Sequence, residues 1–128
     1  MPTFLLLIYG DPQAWEAMTE QEEMLSAAGH EAFQRAAGDR LTGGHEIDRS
    51  HGVTSLRPTR SGGVQEVEGP LETSHRVLGG WYVVQADDRA AAVALAGHLR
   101  EAHVEHSGVE VRQVLAVPAT SGAPGDRS

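Results

Sequence analysis

Glu68 stands before Gly69 and Pro70, in a turn where glycine lets the backbone pass close to a ligand and proline fixes the direction of approach. A carboxylate held that rigidly at a cavity mouth suits a general base. The plain alternative is a solvated turn acid that caps a backbone N–H. His75 falls in the same loop, and an imidazole beside a carboxylate makes an acid–base pair, unless it is an ordinary surface histidine. His45 follows Gly43-Gly44 in a β-forming segment, where alternation points it either inward or outward. Trp81 and Tyr82 alternate across one strand, so one can line a cavity while the other meets a helix or solvent. Arg112, between Val111 and Gln113, is either a surface charge or an inward guanidinium for a carboxylate or enolate.

Other chemistries are excluded or find no motif. The 128 residues contain no cysteine, which removes disulfides, thiolate catalysis and cysteine-ligated metals and points to a reducing cytoplasm. Seven histidines raise the question of a metal. His98, His103 and His106, with Glu101 and Glu105, match no ligand frame, and a separation of five does not stack two side chains on one helical face. No metal and no cofactor are expected. Ser61-Gly62-Gly63 reads as a hairpin tip and Leu78-Gly79-Gly80 enters a strand, so neither is a phosphate loop, and no nucleophile elbow is present. With 18 acidic against 10 basic residues the net charge is -8, which repels a phosphate backbone and argues against nucleic acid.

The elements that must position these groups follow from patterning. Length and composition suit one domain, and no apolar run reaches the ~20 residues a membrane span needs. Thr3 to Tyr9 is an apolar run closed by Gly10-Asp11-Pro12, the pattern of a buried strand. Thr19-Glu20-Gln21-Glu22 has capping-box spacing and predicts a helix with Leu25, Ala28, Ala32, Phe33 and Ala36 on its apolar face and Gly38 as its stop. His30 then lies well over a right angle from that stripe, and exposure is expected unless its flank borders a cavity. Strands are expected near 40–47, 52–57 and 63–67, and at Gly80 to Gln85. Asp87 or Asp88 should cap a second helix reaching about His103, with Ala91, Val93, Ala94, Leu95 and Leu99. Val109 to Val117 supplies a last strand, and the polar tail 118–128 should be disordered.

This order predicts an α+β, ferredoxin-like antiparallel sheet with two helices on one face. A sheet carrying Tyr9 and Trp81 should not leave its second face wet. Two copies packed face to face would form a homodimer enclosing a cavity.

The residues Leu5 to Asp11 with Trp15, Gly43-Gly44, Glu68-Gly69-Pro70-Leu71, Leu78-Gly79-Gly80-Trp81-Tyr82 and Val109-Glu110-Val111-Arg112 together resemble the YCII-related family in its DGPF branch, over residues 1–117. The resemblance implies a dimeric α+β barrel. It also implies that some relatives are enzymes on small aromatic or lactone-like compounds and that others accompany sigma factors. Use of a helical histidine in some branches keeps His30 among the catalytic candidates with Glu68 and His75. Arg112 joins His45, Trp81 and Tyr9 as substrate-binding candidates. The branch's Asp-Gly-Pro-Phe is here Glu68-Gly69-Pro70-Leu71, and Thr73-Ser74-His75-Arg76 replaces the acidic stretch that follows it.

Two functions compete, beside a third reading as a structural interaction module whose sheet face is simply a dimer core. One is a cofactor-independent enzyme that performs proton transfer, elimination or rearrangement on a hydrophobic carbonyl or phenolic compound. The other is a non-catalytic ligand-binding or regulatory dimer associated with a sigma-factor system. Abundant Gly and Ala, with arginine as the only long basic residue, suggest a high-GC bacterial source and a place in secondary metabolism.

Overall fold

The structure is a computed structural model that describes residues 1–49 and 52–115. Strand β1 (Thr3–Gly10) leads through α1 (Pro12–Glu16) into the long helix α2 (Glu20–Ala37) and β2 (Leu41–Glu46). The hairpin β3 (Thr54–Pro58) and β4 (Val64–Glu68) follows, then β5 (Val77–Gln85), α3 (Arg89–Ala96) and β6 (Ser107–Gln113). Short 3-10 turns occupy Gly38–Arg40 and Arg100–Ala102. The main sheet has the order β2-β5-β1-β6 with every pair antiparallel, while β3 and β4 form a separate two-stranded sheet among the described residues. This is the ferredoxin-like α+β topology the element order predicts.

Strand alternation divides the sheet into two faces. Phe4, Leu6 and Ile8 of β1 and Val84 of β5 are buried, and they form one core with Phe33 and Ala37 of α2 and with Ala92, Leu95 and Ala96 of α3. Both helices therefore cover the same face. Leu5, Leu7 and Tyr9 point the other way and are half-buried. Leu5 pairs with Val83 and Leu7 with Trp81, so these four side chains share the uncovered face. No helix among the described residues is long and apolar enough to cross a membrane.

Helix α2 begins as its sequence dictates. Thr19 Oγ1 accepts from the Glu22 N–H at 3.1 Å, and Glu22 Oε1 accepts from the Thr19 N–H at 2.8 Å. Its buried face differs from the expected stripe. Phe33 and Ala37 are buried and Ser26, Gly29 and His30 half-buried, whereas Leu25, Ala28 and Ala36 are exposed. The inward line runs 26, 30, 33, 37, which carries His30 toward the sheet. The stripe was displaced because alanines contribute little burial energy, so the one large inward anchor, Phe33, sets the rotation.

Two further differences shape the site. Asp11 caps a short helix that the Gly10-Asp11-Pro12 turn did not foretell: its carboxylate accepts from the Gln13 N–H at 2.9 Å, with Pro12 in the first turn. That helix carries Trp15. Helix α3, capped by Asp88, stops at Ala96 rather than near His103. Gly97 weakens the next turn, and extended backbone at Leu99 drives that side chain fully into the core. The chain after Leu99 is then free to form the 3-10 turn that holds Glu101. The last strand ends at Gln113, and the tail 118–128 lies outside the described residues.

Candidate functional site

A cleft of about 540 Å3 opens within the single chain, between the first half of α2, the α1 segment and the β2–β5 edge of the sheet. It is not the space between two sheets that face-to-face packing suggested. Trp15 gives it an aromatic wall, and Glu23, Glu46, Arg49 and Gln34 border it. Arg49 lies 4.3 Å from the Trp15 ring centroid, in cation–π geometry.

Three cleft residues from distant segments form a continuous hydrogen-bonded chain. His30 Nε2 lies 3.0 Å from Glu101 Oε2, and His30 Nδ1 lies 2.7 Å from the Tyr82 hydroxyl. A carboxylate only accepts, so Nε2 carries the hydrogen toward Glu101; in the neutral imidazole Nδ1 then accepts from Tyr82 O–H. Helix α2 supplies His30, β5 supplies Tyr82 and the turn after α3 supplies Glu101. Phe33 packs on the Tyr82 ring at 4.4 Å between centroids and fixes its position.

The electrostatics suit this assignment. Burial pushes the Glu101 carboxyl up, but its interaction with His30, the hydrogen bond foremost, and a backbone bond outweigh it, and the carboxyl ends below its ordinary value. Burial raises the Tyr82 hydroxyl; a Gln34 hydrogen bond opposes this, and the charges of Glu101 and Glu46 add to it. Tyr82 thus keeps its proton at neutral pH and Glu101 keeps its charge. A carboxylate held below its unfolded value adds stability above that unfolded value and loses it as pH falls through the folded one. Acidification below the ordinary Glu value of 4.5 should therefore lower the unfolding midpoint, and Glu101→Gln should flatten this part of the profile. Thermal unfolding across the acid range checks it; an unchanged profile in the variant contradicts it.

Gly29 is what lets Glu101 come near. A Cβ on Gly29 would stand 2.8 Å from the Arg100 backbone nitrogen and 3.0 Å from the His98 carbonyl, so only glycine allows the 98–100 segment to lie on α2. Alanine at an ordinary helix position gains about 1 kcal/mol, yet Gly29→Ala is expected to destabilise by about 1–3 kcal/mol because backbone, not a flexible side chain, must move. Chemical denaturation measures the sign. A stabilised variant would show that the approach is not tight.

The candidates read from sequence separate into two groups. His30 lies in the chain just described, 28% exposed rather than on an outer flank. His45 and Trp81 border the cleft where β2 and β5 pair, but alternation sets both opposite in face to Tyr82, so their rings, 5.4 Å apart and edge to face, lie on the uncovered side of the sheet. Glu68 is exposed at the end of β4, where Thr54 Oγ1 approaches its carboxylate at 3.4 Å. His75 is exposed, and neither it nor Glu68 borders the cleft. Tyr9 lies on the uncovered sheet face, and Arg112 is exposed on β6, paired with Glu110 at 3.1 Å. Glu101, Trp15 and Arg49 carry no sequence motif that marks them as site residues. Among the described residues, no three His, Asp or Glu side chains gather where a metal could be held.

No curated protein matches the chain. The YCII-related domain pattern matches residues 3–117, which takes in the main sheet, the helices on its covered face, the hairpin and all three members of the hydrogen-bonded chain, and the protein therefore belongs to the YCII-related domain family.

Proposed function

We propose that this protein is a small acid–base enzyme, in which the Glu101–His30–Tyr82 chain moves a proton to or from a neutral, hydrophobic carbonyl or phenolic compound bound in the cleft. The observation that carries this reading is the unbroken chain at 3.0 and 2.7 Å, ending on a phenol that lines the cleft. Tyr82 is the terminal group: its oxygen can take a proton from the substrate as its own passes to His30 Nδ1, and Glu101 stabilises the imidazolium that results. The cleft's three carboxylates, Glu23, Glu46 and Glu101, outnumber its one guanidinium, Arg49, which favours neutral over anionic ligands. Trp15 offers an apolar face to a ring. In this reading His45, Glu68, His75, Tyr9 and Arg112 take no part in the proton transfer: the His45 ring lies with Trp81 on the uncovered face, and the other four do not border the cleft.

A homodimer belongs to the same proposal. Leu5, Leu7, Trp81 and Val83 form an apolar strip on the uncovered face, with Glu110 and Arg112 of β6 beside it. A second copy presenting the same strip would cover it.

Hydrogen–deuterium exchange at carbon tests the enzyme reading whatever the eventual product. A panel of hydrophobic ketones, lactones and phenols is incubated with protein in D2O and followed by NMR. Accelerated exchange that falls by about 10²–10⁴-fold in His30→Gln is the expected result for general acid–base catalysis. Ligand-induced shifts at Tyr82 without exchange in any compound would instead support a binding or regulatory protein.

A further inference from the structure

Two polar atoms near the site are enclosed by protein without a hydrogen-bond partner among the described residues: Glu101 Oε1 and His106 Nδ1. The first is the carboxylate oxygen that does not touch His30. Both residues border one small cavity of about 20 Å3, walled also by Trp15, Met18 and Ser26. Glu101 thus stands between this cavity and the main cleft, which it also lines. A water molecule needs ~10–15 Å3 on this scale together with polar partners, and the cavity satisfies both conditions. Glu22 reaches the same cavity, but one of its oxygens is committed to the Thr19 N–H in the helix cap.

We propose that this cavity binds a single water molecule that bridges Glu101 Oε1 and His106 Nδ1, making His106 a positioning residue for the Glu101–His30–Tyr82 chain. The water donates one hydrogen to the carboxylate. Toward His106 it donates its second hydrogen to a bare Nδ1 or accepts from Nδ1–H, according to the tautomer. The carboxylate is then held at both oxygens, Oε2 by His30 and Oε1 by the water. That fixes its plane and keeps Oε2 aimed at His30 Nε2, as outer hydrogen bonds orient catalytic imidazoles elsewhere. His106 is only partly buried although its Nδ1 is enclosed, so the imidazole runs from the cavity toward the surface. This inference rests on the acid–base reading of the chain for its consequence, though not for the water site.

Two measurements test it. A crystal structure of the full chain should show one ordered water within hydrogen-bonding distance of both atoms. Proton NMR should show a slowly exchanging His30 Nε2–H in the wild type. In His106→Phe that proton should exchange about five- to tenfold faster, the effect of losing roughly 1 kcal/mol of hydrogen bonding. His106→Asn, which keeps a polar atom near the Nδ1 position, should restore protection. Circular dichroism establishes that each variant is folded, and the crystallographic arm stands if one is not. An empty cavity, or exchange indifferent to both substitutions, overturns the inference while leaving the acid–base reading intact. A wild type without a protected Nε2–H overturns that reading itself.

Discussion

His30→Phe is expected to destabilise the protein by about 2–4 kcal/mol, well above an ordinary half-buried substitution, while the same change in a Glu101→Leu background costs far less. Taking the hydrogen-bond donor from an enclosed carboxylate, as in breaking a buried ion pair, costs about 3–5 kcal/mol because a charge stays behind uncompensated. The figure is reduced here because the Glu101 side chain retains 13% of its exposure. In the single variant Glu101 loses the His30 donor, and Tyr82 loses its acceptor. Replacing both Glu101 and His30 by apolar groups removes the stranded charge, and such exchanges are often near neutral. Denaturant unfolding of the four proteins gives the coupling energy directly, and about 1–3 kcal/mol is expected for residues in contact. Additive effects would mean that the 3.0 Å contact contributes nothing specific and that the chain is not the organised unit the proposed function requires.

The sequence revealed local signals far better than the meeting of segments. Strand β1 and the capping box at Thr19 and Glu22 depend on residues within a few positions of each other, and the structure places both where the pattern put them. The ferredoxin-like topology followed from element order. The pattern put His30, by contrast, on the wrong side of its helix, because an alanine-rich stretch carries little contrast between faces and Leu25 reads as core although it is 43% exposed. Glu101 and Tyr82 lie 71 and 52 residues from His30, and no spacing rule joins side chains across such distances. One signal was present. A glycine inside a helix costs about 1 kcal/mol relative to alanine and commonly has a packing reason; Gly29, beside His30, has one in the 98–100 segment. Glu68 stands out through the rigidity of its Gly-Pro turn, and the turn is indeed tied down, with the Gly69 N–H donating to the Val53 carbonyl at 2.7 Å. Rigidity alone did not bring it to the cleft.

Adjacent residues on β5 provide the second large expected effect, because they separate folding from association. Val84 is fully buried against the helices, whereas Val83 is half-buried on the uncovered face opposite Leu5. Val84→Asp places an unpaired carboxylate in the core and should leave no folded protein. Val83→Asp faces water in a single copy, so the chain should still fold, with near-wild-type circular dichroism. If two copies meet through this face, the same aspartate becomes an enclosed charge in the interface. A penalty of about 3–5 kcal/mol then weakens association by roughly 10²- to 10³-fold. Light scattering and analytical ultracentrifugation should report a dimer for the wild type and a folded monomer for Val83→Asp. The proposed interface is wrong if the wild type is monomeric, or if Val83→Asp remains a dimer of undiminished affinity. The cleft lies within one chain and its hydrogen-bonded chain uses residues of one copy only, so a folded Val83→Asp monomer should retain the protected His30 Nε2–H. Association would then stabilise a site that each copy already builds for itself.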